Sequence, residues 1–406
     1  MKPGLGCNAH FNVVRIRELT IYRLLMPLQR KIRHASYSRS SSENILVMCT
    51  LVDGTRGWGE GVPREYVTGE TVPGSLQQLA DAAIDEQLQA DCDNWDDVIR
   101  LCQGLQLPRP ENDKRGCYGN ALRCAVELSV LDAFGKLFEE PVSMVTQHYR
   151  EASLIRKTRV EVQYSGIITA DTPVRERLSA AKIRLYGFSQ CKVKIGMPGV
   201  DDIQRMERLR FWLGSRIDLR LDVNEGWRSS DVRARVEPLL RFEPSSIEQP
   251  VPHAEVLALS ELRKALPVRI MLDESLTSEH DADSAIRTKT CDFFNLRLSK
   301  CGGFLACLRL AARADRAGLG YQLGCHPGES AILSAAGRHF ATSVGNIAYL
   351  EGSYDRHILR ESLTTEDMTF TYGGRAPAIE RGGLGVTVVP QRLEKMANRC
   401  RTYEIQ

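Results

Sequence analysis

Residues 191–196 read CKVKIG, residues 221–224 LDVN, residues 247–250 IEQP and residues 271–275 MLDES. Each is a short apolar run that ends in charge. Side chains at i and i+2 of a strand share a face, so Lys192 and Lys194 point the same way. Alone, such a pair also suits a solvated edge. The company of Asp222, Glu248 and Asp273 changes the reading, because each acid closes a separate strand-like run. Carboxylates avoid burial unless they are paired or metal-bound. Taken singly, each could cap a helix. Taken as a set at one mouth, the three would repel unless a hard divalent cation sat between them, and oxygen-only ligation suits magnesium, with manganese as an alternative.

The same texture extends outward. Strand-like runs end at Lys194, Asp222, Glu248, Asp273, Arg297, His326 and Glu351, with spacings of 24 to 29 residues, and amphipathic helical stretches lie between them. A closed (β/α)₈ barrel of about 250 residues has this repeat. An open doubly wound sheet would carry a glycine-rich phosphate turn after its first strand. The nearest candidate, Gly57, Gly59 and Gly61 in GWGEG, lacks the GxGxxG spacing, so nucleotide binding is set aside.

Upstream, Arg15 to Glu60 alternates in the strand manner around a turn at Asp53 and Gly54, and Gly74 to Gln147 changes to helical spacing. The last stretch, from about Arg360, reads as β-like and turn-rich and is expected to pack back on the first lobe. The fold class is therefore α/β, a modified (β/α) barrel with an α+β cap. Residues 1–155 are assigned to the cap, 156–358 to the barrel and 359–406 to a segment returning to the cap.

The chain has 406 residues and a net charge of +3, which argues for neither nucleic acid nor a membrane as partner. No apolar run approaches the roughly 20 residues needed to cross a bilayer, and the opening MKPGLGCNAHFNVVR lacks an apolar signal core. A cytoplasmic protein is expected. Its twelve cysteines are scattered without CxxC pairs, so reduced thiols are expected.

In order and spacing, KVKIG, LDVNEGW, IEQP, MLDES and NLRLSKCGG resemble the enolase superfamily. The KxK pattern is similar to the muconate cycloisomerase (muconate lactonizing enzyme) subgroup of its mandelate racemase and muconate lactonizing enzyme family. The resemblance implies a small carboxylate substrate, magnesium on Asp222, Glu248 and Asp273, Lys194 as acid/base, and Lys192 as an auxiliary lysine that lowers the pKa of Lys194. Asn224 would support the metal from its second shell. A homo-oligomer is also implied.

Several positions depart from that template. Arg297 stands where the subgroup has its second lysine base, and an arginine keeps its proton. Strand alternation puts Lys300 on the face opposite Arg297, in a supporting role. His326 falls where the mandelate racemase branch has a catalytic histidine, with the arginine expected to hold its imidazole neutral. Glu351 either orients substrate or is a salt-bridged rim acid, and Glu329 is similarly open. The loop QRKIRHASYSR, with Arg30, Lys31, Arg33 and His34, is either a cationic lid or a solvated loop; Tyr66 and Tyr164 are candidate substrate contacts. The reading favoured by these residues is a one-base cycloisomerase or syn-dehydratase that removes a proton next to a carboxylate. The alternatives are an epimerase that pairs Lys194 with His326, a metal-binding barrel that has lost turnover, and a barrel whose acids meet by chance.

Overall fold

A computed structural model describes residues 14–33, 38–169 and 172–405. The chain opens with three antiparallel strands: β1 (Val14–Arg33), β2 (Ser38–Leu51) and β3 (Arg56–Gly61). The tight turn between β2 and β3 is held by the Thr55 amide and hydroxyl, which donate to the Asp53 carboxylate. Helix α1 (Asn120–Leu137) is the long element of the helical stretch.

GWGEG has a packing purpose. A Cβ on Gly57, Gly59 or Gly61 would lie 2.1, 2.0 or 1.9 Å from backbone atoms of Ala133, Ala125 or Ala121. All three partners are on α1, so the bare strand lets the helix backbone rest directly on it.

Eight parallel strands follow: β4 (Gly166–Ile168), β5 (Gln190–Lys194), β6 (Asp218–Asp222), β7 (Pro244–Glu248), β8 (Arg269–Leu272), β9 (Phe293–Leu296), β10 (Gly320–Leu323) and β11 (Ile347–Leu350). They pair in sequence order and curl into a barrel. The Ser165 amide donates to the Leu350 carbonyl at 2.8 Å, joining the first strand to the last. Val193, Leu221, Ile247, Leu272 and Leu296 belong to the main buried core, whereas alternate positions carry the polar interior and a small apolar plug of Met271, Phe293 and Tyr349. The wall is therefore apolar outside and polar inside.

β12 (Ala397–Glu404) pairs antiparallel with β1, so the end of the chain completes the cap sheet. The expected β-like run MTFTYGGRAPAIERGGLGVTVV is mostly irregular, with one three-residue strand at Arg375–Pro377. Left-handed backbone at Gly373, Gly374, Gly383 and Gly385 interrupts any longer ladder. The eleven cysteines among the described residues are free. No helix among the described residues is long and apolar enough to cross a membrane.

The glycine row makes a direct prediction. Gly59→Ala forces β3 off α1 and should cost about 3 kcal/mol of stability, read as a lowered urea midpoint; an unchanged midpoint would rule out the close approach.

Candidate active site

The carboxyl ends of the strands gather the charged residues, as the barrel geometry requires. Lys194 pairs in register with Asp222, and Asp222 with Glu248, which places them in one layer across neighbouring strands. Asp273 and Arg297 immediately follow β8 and β9, and Glu351 follows β11. Asp222, Glu248, Asp273 and Glu351 are all buried.

Buried cations bind these acids. Lys192 Nζ lies 2.7 Å from Glu351, 3.4 Å from Glu248 and 3.5 Å from Asp222. Arg297 pairs with Asp273 and lies 3.6 Å from Glu248. Burial works against both charges, but the surrounding carboxylates hold Lys192 and Arg297 above their ordinary pKa ranges. Enclosed by acids, Lys192 is held as a protonated ammonium beside Lys194 on the same strand face. Lys194 differs: it is half-buried, and among the described residues its Nζ has no hydrogen bond or ion pair.

Burial raises the Glu248 carboxyl to about 8; Lys192 opposes that shift, while Asp222 and Asp273 add to it. For Asp273 burial also acts upward, but Arg297 and Lys300 outweigh it and hold the carboxyl below its usual range. Glu351 is lowered similarly, with Lys192 and Arg220 overcoming burial. Glu351 is a salt-bridged interior acid, held by Lys192 and Arg220.

Lys300 corrects the alternation argument. The strand ends at Leu296, and a helical turn, α2 (Leu298–Cys301), swings the side chain back inward. Its Nζ donates to the Asp273 carboxylate at 2.7 Å, the Asp273 carbonyl at 2.7 Å and the Asn295 carbonyl at 2.8 Å. Asn224 adopts left-handed backbone at φ 47°; its amide donates to Asp222 at 3.2 Å and its side chain to Glu274 at 3.3 Å.

His326 lies three residues beyond β10 and is buried, and both ring nitrogens lack a hydrogen-bond partner among the described residues. Burial, Arg297 and Arg64 hold its pKa well below the ordinary range, so the imidazole is neutral. Its backbone amide donates to Glu329 at 2.5 Å.

Tyr164 stays near the mouth, lining one small cavity with Glu329 and Glu351 beside helix α3 (Ala331–Ser343). It precedes β4 instead of ending it, and its ring packs 5.8 Å from Phe370. Tyr66 is half-buried on the short helix Glu65–Thr68. Arg30 and Lys31 are exposed near the end of β1, whereas His34 and the side chain of Arg33 lie outside the described residues.

Several interior residues escaped the sequence reading. Arg220 donates to Gln322 at 2.5 Å, faces Glu351 at 3.2 Å and stacks 4.2 Å from the Tyr349 ring centroid. Asn295 donates to Glu248 at 2.9 Å. The signal was available: Arg220 and Asn295 stand two residues before Asp222 and Arg297, on the same strand faces.

Asp222, Glu248 and Asp273 are the oxygen donors that could hold a divalent cation. The donor chemistry fits: three buried carboxylates, with Glu248 forced toward its neutral form unless positive charge is supplied. Among the described residues they do not already stand as a closed metal-binding group, because Lys192 and Arg297 bridge them.

The polar-lined barrel, with lysines and acids at its carboxyl ends, defines a class of enzyme fold. Residues 175–392 match the family described as Enolase C-terminal domain-like. L-Lys-D/L-Arg epimerase of Methylococcus capsulatus is 30% identical over 382 residues, spanning 92% of this chain and 99% of that protein. N-succinyl-L-Arg/Lys racemase of Bacillus cereus is 26% identical over 340 residues, or 83% and 87% of the two chains. The crystal structure of that racemase matches with a TM-score of 0.81 and 25% identity, covering 95% of this chain and all of that one. Two further structures share the fold. One is dipeptide epimerase from Enterococcus faecalis complexed with Mg and L-Leu-L-Tyr, at TM-score 0.78 and 24% identity over 92% and 99% of the chains. The other is muconate lactonizing enzyme from Pseudomonas fluorescens complexed with muconolactone, at 0.81 and 22% over 95% and 100%. The chain belongs to the enolase superfamily.

Lys300→Met strands the Asp273 carboxylate with one cation fewer. It should lower stability by about 3 kcal/mol in urea unfolding, and a loss below about 1 kcal/mol would show that Arg297 alone suffices.

Proposed function

We propose that this protein is an isomerase that removes the α-proton of a small carboxylate substrate with Lys194 as its single lysine base. The observation that carries this is the contrast between two side chains. Among the described residues Lys194 Nζ has no hydrogen bond or ion pair, while Arg297, at the position of the subgroup's second lysine, is buried on Asp273 and held protonated. A lysine with no carboxylate holding its proton can become a base where a divalent cation stands beside it, whereas the guanidinium can only offer fixed positive charge.

In this reading Asp222, Glu248 and Asp273 hold magnesium, which supplies positive charge to offset the negative charge that develops on the substrate carboxylate. Lys194 takes the proton, and Arg297 and Lys192 face the growing negative charge. Cycloisomerisation, or syn-dehydration as the lyase outcome, follows from a single base.

A second reading, epimerisation, is favoured by the neutral imidazole of His326, whose ring nitrogens make no hydrogen bond among the described residues, the nearest carboxylate being Glu329 at 3.8 Å from Nδ1. The epimerase and racemase named above lend it support. Here Lys194 and His326 would serve opposite faces of the α-carbon.

Candidate dipeptides, N-succinyl amino acids and muconate-like diacids, incubated with magnesium in D₂O, separate the readings. The proposal expects Lys194-dependent loss of an α-proton signal, by at least about 100-fold over Lys194→Ala, without inversion. Inversion that disappears in His326→Asn would establish the second reading instead. Calorimetry should find magnesium binding that Asp222→Ala abolishes; binding that survives this change defeats the assigned ligand set.

A further inference from the structure

The loop after β10 carries His326 and Glu329 to the barrel mouth, and the residues that hold it come from the cap. Glu60, at the end of β3, is fully buried. Its carboxylate accepts from the Ser330 amide at 3.0 Å, the Ser330 hydroxyl at 2.6 Å, the Leu333 amide at 3.3 Å and the Asn44 side chain at 2.6 Å. Ser330 is the N-cap of α3, so a carboxyl group from another sheet accepts hydrogen bonds where the helix presents its unpaired amides.

Neighbouring contacts reach the loop itself. Asn44 Nδ2 also donates to the Gly328 carbonyl at 2.9 Å, and Arg39 donates to the Pro327 carbonyl at 2.6 Å. Ser42 donates to Asn44 Oδ1 at 2.7 Å, which fixes the orientation of that amide. Pro327, Gly328 and Ser330 are thus all gripped from β2 and β3. Within the loop, the Glu329 amide bonds back to the His326 carbonyl at 3.2 Å, so its conformation is continuous with the gripped residues.

We propose that Glu60 is a positioning residue for the reaction site: through Ser330, the α3 N-terminus and Asn44 it fixes the loop that presents His326 and Glu329. The inference rests on the mouth being the reaction site, as proposed above. It assigns Glu60 no contact with substrate. Its effect is to let the cap decide where the imidazole stands.

The test uses the full chain labelled with ¹⁵N-histidine, His326 being assigned through His326→Gln. In Glu60→Ala, amides 330–333 should lose about tenfold or more of their exchange protection and the His326 ring signals should move, while β5 and β6 amides and magnesium binding stay as in the parent. Glu60→Gln, which keeps one acceptor, should recover part of both effects. Unmoved His326 signals in a Glu60→Ala chain of lowered overall stability would reduce Glu60 to a stabiliser of the cap and overturn the proposal. If Glu60→Ala does not fold, Asn44→Ala carries the same test through Gly328, with the same deciding signals. A parent chain that neither binds magnesium nor shows Lys194-dependent exchange defeats the proposed function and is recognised independently of the loop result.

Discussion

Charge balance inside a closed wall governs this molecule. Ionised groups cannot leave water without partners, yet the barrel interior takes in Asp222, Glu248, Asp273 and Glu351. Lys192, Arg220, Arg297 and Lys300 compensate them, each fixed by geometry the strands impose. Removing a member leaves its partner stranded, so the interior behaves as one unit. Within that unit Lys194 is the exception, since it is held in the same layer without a carboxylate of its own.

Much of this was legible in the chain itself. The recurring acid-ended strands gave the barrel and the order of Asp222, Glu248 and Asp273 because backbone alternation and the βα repeat translate directly into position. Where prediction slipped, the cause was local backbone geometry. Lys300 was assigned to the outer face on the premise that the strand continued, but the helical turn beginning at Leu298 reverses its direction. Tyr164 was assigned to the end of a strand that in fact begins two residues later. In the segment after Arg360, β-prone residues could not outweigh glycines in left-handed backbone.

The pairings across the interior were harder to anticipate. Nothing in the spacing of Arg220 reveals that it meets Gln322 and Glu351, because those contacts depend on how the sheet curls. Lys192 is a similar case, since its place in the chain does not reveal that the closed barrel surrounds it with Asp222, Glu248 and Glu351.

The partnership of β12 with β1 bears on how the protein is made. Residues 14–33 emerge early from the ribosome, but their partner at 397–404 comes only after the whole barrel. Until then one side of β1 presents open backbone amides and carbonyls to the cell, the kind of edge that recruits wrong partners. The β2–β3 side and α1 can assemble meanwhile. A chain truncated before Ala397 would keep every barrel strand and still carry that edge permanently, so its failure would show as aggregation before any change in the barrel itself.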